Sequence, residues 1–130
     1  ELPALLPTAD IVIVGVPLTD ATTGLVDDAF LAALPDGALV VNVGRGPVVD
    51  TAALTKEVLS GRLNCALDVI DPEPLPQDHP LWTAPNALIT PHVGGNASAF
   101  EPRILKLLRK QLEALAAGHA PANLVQQGPF

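Results

Sequence analysis

The sequence predicts an α/β fold: a parallel sheet of about four strands with flanking helices, forming the second half of a doubly wound domain. Three observations carry this prediction. Four short apolar runs lack polar alternation, helical patterns lie between them, and Gly and Pro fall in the gaps. Strands without a polar face are those covered on both sides, as in parallel sheets joined by crossover helices.

Residues 11–14, Ile-Val-Ile-Val, make the first strand, ended by Gly15 and Pro17. A helical pattern follows Asp27 and Asp28, with Phe30, Leu31 and Leu34 on one side. Residues 38–43 make the second strand. Asp50 then stands where a carboxylate caps the free N–H groups of a helix, Leu54, Val58 and Leu59 give that helix its apolar side, and Gly61 supplies a left-handed residue beyond its end. Residues 64–69 are the third strand and 87–90 a weaker fourth. The last helix carries Ile104, Leu107, Leu108, Leu112 and Leu115 at helical spacing, with Lys106, Arg109, Lys110 and Glu113 off that stripe. Pro102 either opens this helix in its first turn or kinks a longer one starting near Asn96. Residues 1–118 are expected to form one unit. Residues 119–130 have no periodicity and read as a tail that packs against something outside itself.

The chain has 130 residues, 48% hydrophobic and 16% charged, which is the composition of a soluble globular domain. Its net charge of -7 comes from scattered acids, and its seven Lys and Arg form no stripe, which argues against nucleic acid or an anionic membrane as partner. Cys65 stands alone, so neither a disulfide framework nor a thiol metal cluster is expected, and it reads as a buried strand residue. No apolar run approaches the roughly 20 residues needed to cross a bilayer. Glu1-Leu2-Pro3-Ala4 offers no basic segment for secretion, so a cytoplasmic protein is expected.

Three blocks stand at strand ends: Asn42-Val43-Gly44-Arg45-Gly46, Asp68-Val69-Ile70-Asp71-Pro72-Glu73-Pro74 and Thr90-Pro91-His92-Val93-Gly94-Gly95. In an open parallel sheet the crevice beyond the strand carboxyl ends is where ligands bind. Singly, Arg45 reads as a loop arginine, Glu73 as a residue flanking two prolines, and His92 as a satisfied interior histidine. Together at one sheet edge they read as a site. Oxidising a 2-hydroxy acid needs a base for the hydroxyl proton, and an imidazole, with an ordinary pKa of about 6.5, works in both directions near neutrality. His92 suits that role, with Glu73 fixing its tautomer through the other ring nitrogen. Arg45 can hold a substrate carboxylate by a fork of hydrogen bonds while polarising the carbonyl. Asp68 is expected to accept from a nicotinamide carboxamide. His79 and His119 read as surface residues, and Trp82 as an anchor of the loop 72–85 more than as a pocket wall. A dinucleotide fold also needs a Gly-x-Gly-x-x-Gly turn, which this sequence lacks. The expectation is therefore that the glycine-rich first half lies outside it.

Four ordered segments carry a resemblance: Val16-Pro17-Leu18-Thr19 with Thr22, residues 42–50, residues 68–74 and residues 90–95. The chain resembles the D-isomer-specific 2-hydroxyacid dehydrogenase family, and the His-Pro-Leu-Trp stretch at 79–82 is similar to its glyoxylate/hydroxypyruvate reductase-like members, with phosphoglycerate dehydrogenase-like members the alternative. The resemblance implies a partial Rossmann-like NAD(P)-binding domain over 1–118 and a tail returning to a substrate domain. It implies Arg45, Glu73 and His92 as the catalytic set, and Pro17, Thr22, Val43, Gly44, Arg45, Asp68, His92, Gly94 and Gly95 as neighbours of NAD or NADP. Glutamate at 73 argues against a formate dehydrogenase, which is expected to carry Gln there. A small 2-hydroxy or 2-keto acid is the implied substrate, and a homodimer or self-association through the edge of the strand 11–14 the implied assembly. The chain by itself is expected to be inactive. The competing reading is a binding or oligomerisation module that kept the fold without catalysis.

Overall fold

The apolar runs form four strands in the computed structural model, which describes residues 2–121 and 123. They are β1 Ile11–Val14, β2 Leu39–Asn42, β3 Asn64–Leu67 and β4 Ala87–Ile89, in the sheet order β1-β2-β3-β4 with every pair parallel. All four carboxyl ends therefore open on one edge. The last three strands stop one or two residues before their apolar runs do, because Val43, Asp68 and Thr90 already belong to the loops that leave that edge.

The chain divides into two compact units, Glu1–Gly94 and Gly95–Phe130. In the first, α1 (Leu2–Leu5) precedes β1, α2 (Asp28–Ala32) joins β1 to β2, and α3 (Thr51–Leu59) joins β2 to β3. The connection from β3 to β4 has no α-helix, only a 3₁₀ turn at Pro80–Thr83. The Asp27 carboxylate accepts from Phe30 N–H at 2.8 Å, and Asp50 accepts from Ala53 N–H at 3.0 Å, as its place before α3 predicted. Gly61 takes φ 79° beyond that helix. Leu59 is exposed, however, and the buried side of α3 is Ala53, Leu54, Thr55 and Val58. The Arg62 guanidinium donates to the carbonyls of Leu31 and Leu34 at 2.7 and 2.9 Å and to Glu57 at 2.6 Å, tying the end of α2 to the end of α3.

The register aligns Val14, Asn42, Leu67 and Ile89 in one row and Val12, Val40, Cys65 and Ala87 in another. This face packs with Leu31 and Leu34 from the α2 region, Leu54 and Val58 from α3, and Val26, Val48, Leu63 and Leu81 from the loops. The opposite face carries Ile13 and Leu88, 67% and 63% exposed. Coverage on both faces was expected; one face is buried instead, because α2 and α3 give their buried residues to the same cluster. Cys65 lies in the core, and burial pushes its thiol pKa up to about 11.

Within the first unit the core reaches as far as Ile89. The first unit accordingly closes at Gly94, where the sequence suggested a single unit through 118. In the second, α4 spans Phe100–Ala116 with Pro102 in its first turn, so the shorter of the two expected helices forms. Gly118, at φ 72°, lies beyond its end. Of the expected tail, residues 122 and 124–130 lie outside the described residues. Among those described, no helix is long and apolar enough to cross a membrane, and no group of three or more His, Cys, Asp or Glu is arranged to hold a metal ion.

Candidate active site

Asn42 ends β2 with 1% exposure, and a buried amide must find partners. Its Oδ1 accepts from Gly44 N–H at 3.1 Å and its Nδ2 donates to the Arg45 carbonyl at 3.2 Å, so one side chain shapes the whole turn. Gly44 brings this turn against the loop after β1: a Cβ there would stand 3.0 Å from the Val16 carbonyl oxygen. Gly46 brings it against the loop after β3, where a Cβ would collide with the Ile70 carbonyl and lie 2.8 Å from Asp71 N. Arg45 is exposed, with Nη1 donating to the Gly44 carbonyl at 2.7 Å.

Glu73 and His92 meet across the loops after β3 and β4. His92 Nδ1 lies 2.8 Å from Glu73 Oε1, and both side chains keep a little over 40% of their surface exposed. A carboxylate only accepts, so Nδ1 carries the hydrogen of this bond and Nε2 is the atom left to exchange a proton. His92 takes φ 55°, an uncommon conformation for a residue with a side chain, and its N–H donates to the Thr90 carbonyl at 3.0 Å.

Asp68, one residue past β3, accepts three hydrogen bonds from the loop after β4. Thr90 Oγ1 and Val93 N–H donate to Oδ1 at 2.6 and 2.9 Å, and Gly94 N–H donates to Oδ2 at 2.8 Å. A Cβ on Gly94 would stand 2.8 Å from Oδ2, so glycine permits the approach. The Thr90 hydroxyl, followed by the Val93 and Gly94 amides, holds the Asp68 carboxyl below its ordinary 3.8, since these donors favour the charged form. This contribution to the folded loop is present above the ordinary value and is lost as pH falls through the lowered one. In an acid titration followed by NMR, the Val93 and Gly94 amide signals are expected to move together with a midpoint below 3.8; a shared midpoint at or above that value contradicts the assignment.

At the end of β1, Thr22 Oγ1 donates to the Pro17 carbonyl at 2.7 Å and accepts from Thr19 N–H at 2.8 Å, closing the loop on itself. Between this loop and the Arg45 turn lies a cleft of about 500 Å³ lined by Val16, Pro17, Leu18, Val43, Gly44 and Arg45. Val16, Leu18 and Val43 are 37%, 42% and 52% exposed. Apolar side chains beside one guanidinium match a ligand with a flat apolar ring and an anionic part. A second cavity, of about 410 Å³, has Glu73, His92, Ile89 and Trp82 on its walls.

Of the expected site residues, Glu73 and His92 are thus brought into contact, while Pro17, Val43, Gly44 and Arg45 line the cleft between the loops after β1 and β2. Arg45 makes no hydrogen bond to the pair among the described residues. Thr22 acts within its own loop, Asp68 and Gly94 meet through a 2.8 Å hydrogen bond, and Gly95 opens the second unit. Trp82 is 50% exposed on the cavity wall, with its Nε1 donating to the Pro76 carbonyl at 2.8 Å; Leu81, 1% exposed, is the residue of that loop which reaches the core. His79 is half-buried and its Nδ1 accepts from Leu81 N–H at 3.4 Å, capping the 3₁₀ turn, whereas His119 is exposed. Asn42, Gly46 and Thr90 shape the site, although the sequence placed them in its three blocks without giving any of them a role. The buried amide of Asn42 was signalled only by a polar residue closing an apolar run.

Residues 1–94 match the family model described as D-isomer specific 2-hydroxyacid dehydrogenase, NAD binding domain. A glyoxylate reductase from Thermofilum pendens is 38% identical over 128 residues, covering 98% of this chain and 38% of that protein. The crystal structure of a protein from Thermus thermophilus superposes with a TM-score of 0.86 at 41% identity, covering 97% of this chain and 40% of that one. A D-isomer specific 2-hydroxyacid dehydrogenase from Xanthobacter autotrophicus Py2, in complex with NADPH and MES, gives 0.81 at 42% identity, covering 96% of this chain and 51% of that one. The chain spans between about a third and a half of the length of these relatives.

Proposed function

The chain belongs to the D-isomer specific 2-hydroxyacid dehydrogenase family, and from that membership we propose that it is part of an oxidoreductase interconverting small 2-hydroxy and 2-keto acids with NAD or NADP. The observation that carries the reading is the 2.8 Å bond between His92 and Glu73 at the sheet edge, the same edge from which the loop of Arg45 leaves. A bound nicotinamide supplies or accepts the hydride. His92 Nε2 takes the hydroxyl proton in oxidation and returns it in reduction, while Glu73 keeps the other nitrogen protonated and the ring in place. Arg45 releases the Gly44 carbonyl to grip the substrate carboxylate, polarising the adjacent carbonyl.

In this reading Pro17, Val43, Gly44 and Arg45 hold the nicotinamide half of the cofactor, with Thr22, Asp68, His92 and Gly94 as its neighbours. The carboxylate of Asp68 has about four acceptor sites, of which three are used, so one is left for a carboxamide. Glyoxylate or hydroxypyruvate is the proposed substrate, after the names of the relatives, one of which is a glyoxylate/hydroxypyruvate reductase B from Citrobacter koseri. A cytoplasmic setting and self-association belong to the same proposal, the latter supported by exposed Ile11 and Ile13 on the outermost strand. The test follows nicotinamide absorbance with the whole reading frame that carries this sequence, offering glyoxylate, hydroxypyruvate and pyruvate with NADH and with NADPH. Turnover of at least one acid is expected. Failure with every pair, in a folded protein that binds the cofactor, overturns the reading.

A further inference from the structure

We propose that Asp68 is the positioning residue for His92: its carboxylate gathers the turn from Thr90 to Gly94 and holds His92 in the left-handed conformation from which Nδ1 reaches Glu73. Three bonds converge on the two oxygens, from a hydroxyl two residues before His92 and from the amides one and two residues after it. They bracket the one residue of the turn whose φ, 55°, is unfavourable for a side chain. Such a conformation persists where its surroundings over-determine it. The turn is exposed throughout, and its residues add nothing to the hydrophobic core, so packing does not supply that constraint.

Asp68 is itself fixed. Its N–H donates to the Asn42 carbonyl at 2.9 Å, extending the β2–β3 ladder, and Thr90 N–H donates to the Leu67 carbonyl at 2.9 Å, extending β3–β4. The carboxylate therefore leaves the sheet from a rigid point next to Asn42, whose amide shapes the Arg45 turn. One strand end thus anchors the proton-transfer loop and its neighbour anchors the guanidinium loop. Gly94 completes the arrangement, because a Cβ there would crowd Oδ2 at 2.8 Å.

The inference rests on His92 being the proton-transfer group, and its test is read on the chain without substrate so that the two can fail separately. Asp68→Asn keeps the shape but presents an N–H₂ where the loop offers only donors. By NMR, Asp68→Asn is expected to raise hydrogen exchange at Gly94 by about tenfold and to abolish the signal of the His92 Nδ1 proton bonded to Glu73. The backbone shifts of the four strands should stay as in wild type. Thr90→Ser, which retains the hydroxyl, is expected to preserve the Nδ1 signal, and Thr90→Val to weaken it. A persistent Nδ1 signal in Asp68→Asn overturns the proposal; should that variant not fold, an unchanged signal in Thr90→Val overturns it instead. Loss of the signal together with full activity of His92→Gln in the whole enzyme leaves the positioning role standing and sinks the proton-transfer reading.

Discussion

His92→Gln, in the whole reading frame, is expected to lower kcat/KM for the best 2-keto acid by about a hundredfold to ten-thousandfold, the usual worth of a general acid–base group. Gln keeps a donor near the position of one ring nitrogen but cannot shuttle a proton, so nicotinamide binding should change little while turnover collapses. Glu73→Gln is expected to cost less, because it leaves the imidazole and removes only the charge that orders it across the 2.8 Å bond. The double variant should then be about as slow as His92→Gln alone, since the two act as one unit. Arg45→Lys is the third member of the set. A lysine keeps the charge and loses the fork, so KM should rise and kcat fall together if the guanidinium holds the carboxylate beside the reacting carbon. Near-normal turnover in His92→Gln, with the variant folded, removes the proton-transfer role. Near-normal turnover in Arg45→Lys removes the clamp.

What was legible in the sequence is where the candidate side chains stand, each in a loop that leaves a strand end. The placement of Arg45, Glu73 and His92 at a single edge follows from parallel strands alone, and parallel strands follow from apolar runs separated by helical patterns. Asp50 and Gly61 marked α3 because capping is local: the residues that need each other lie within a turn. What could not be read is non-local. The bonds of Asp68 run to a segment more than 20 residues away, and those of Arg62 back to Leu31 and Leu34, with no periodicity to announce either. The one-sided sheet was hidden for a related reason. Ile11, Ile13 and Leu88 are as apolar as the buried strand residues, and composition does not say which surface meets them. Gly46 stood in view inside the block 42–46, but its role, letting two backbones touch, depends on the loop after β3 and has no local signature.

That role makes Gly46→Ala the substitution with the largest expected effect on stability. Its φ lies outside the left-handed region, so alanine meets no conformational penalty, and the whole effect is steric. The added methyl collides with the carbonyl of Ile70 and crowds Asp71 N, and both are backbone atoms that cannot rotate away. Ile70 is buried, so the strand-end loop it belongs to has little room to retreat. Overpacking of this kind costs about 1 to 3 kcal/mol where side chains can adjust, and about 3 kcal/mol or more is expected where only backbone can. Gly44→Ala provides a graded comparison, with its nearest atom 3.0 Å away, and should cost less. Gly15→Ala has nothing within 4 Å and should fall within about 0.5 kcal/mol of wild type. Urea unfolding of the three variants tests that order. Activity provides an independent check: separating the loops after β2 and β3 moves Arg45 relative to Glu73 and His92, and a displacement of about 1 Å is enough to cost a hundredfold in rate. A Gly46→Ala variant as stable as Gly15→Ala would mean the two loops do not meet as described, and the loop of Arg45 would then have no fixed place against the loop of Glu73.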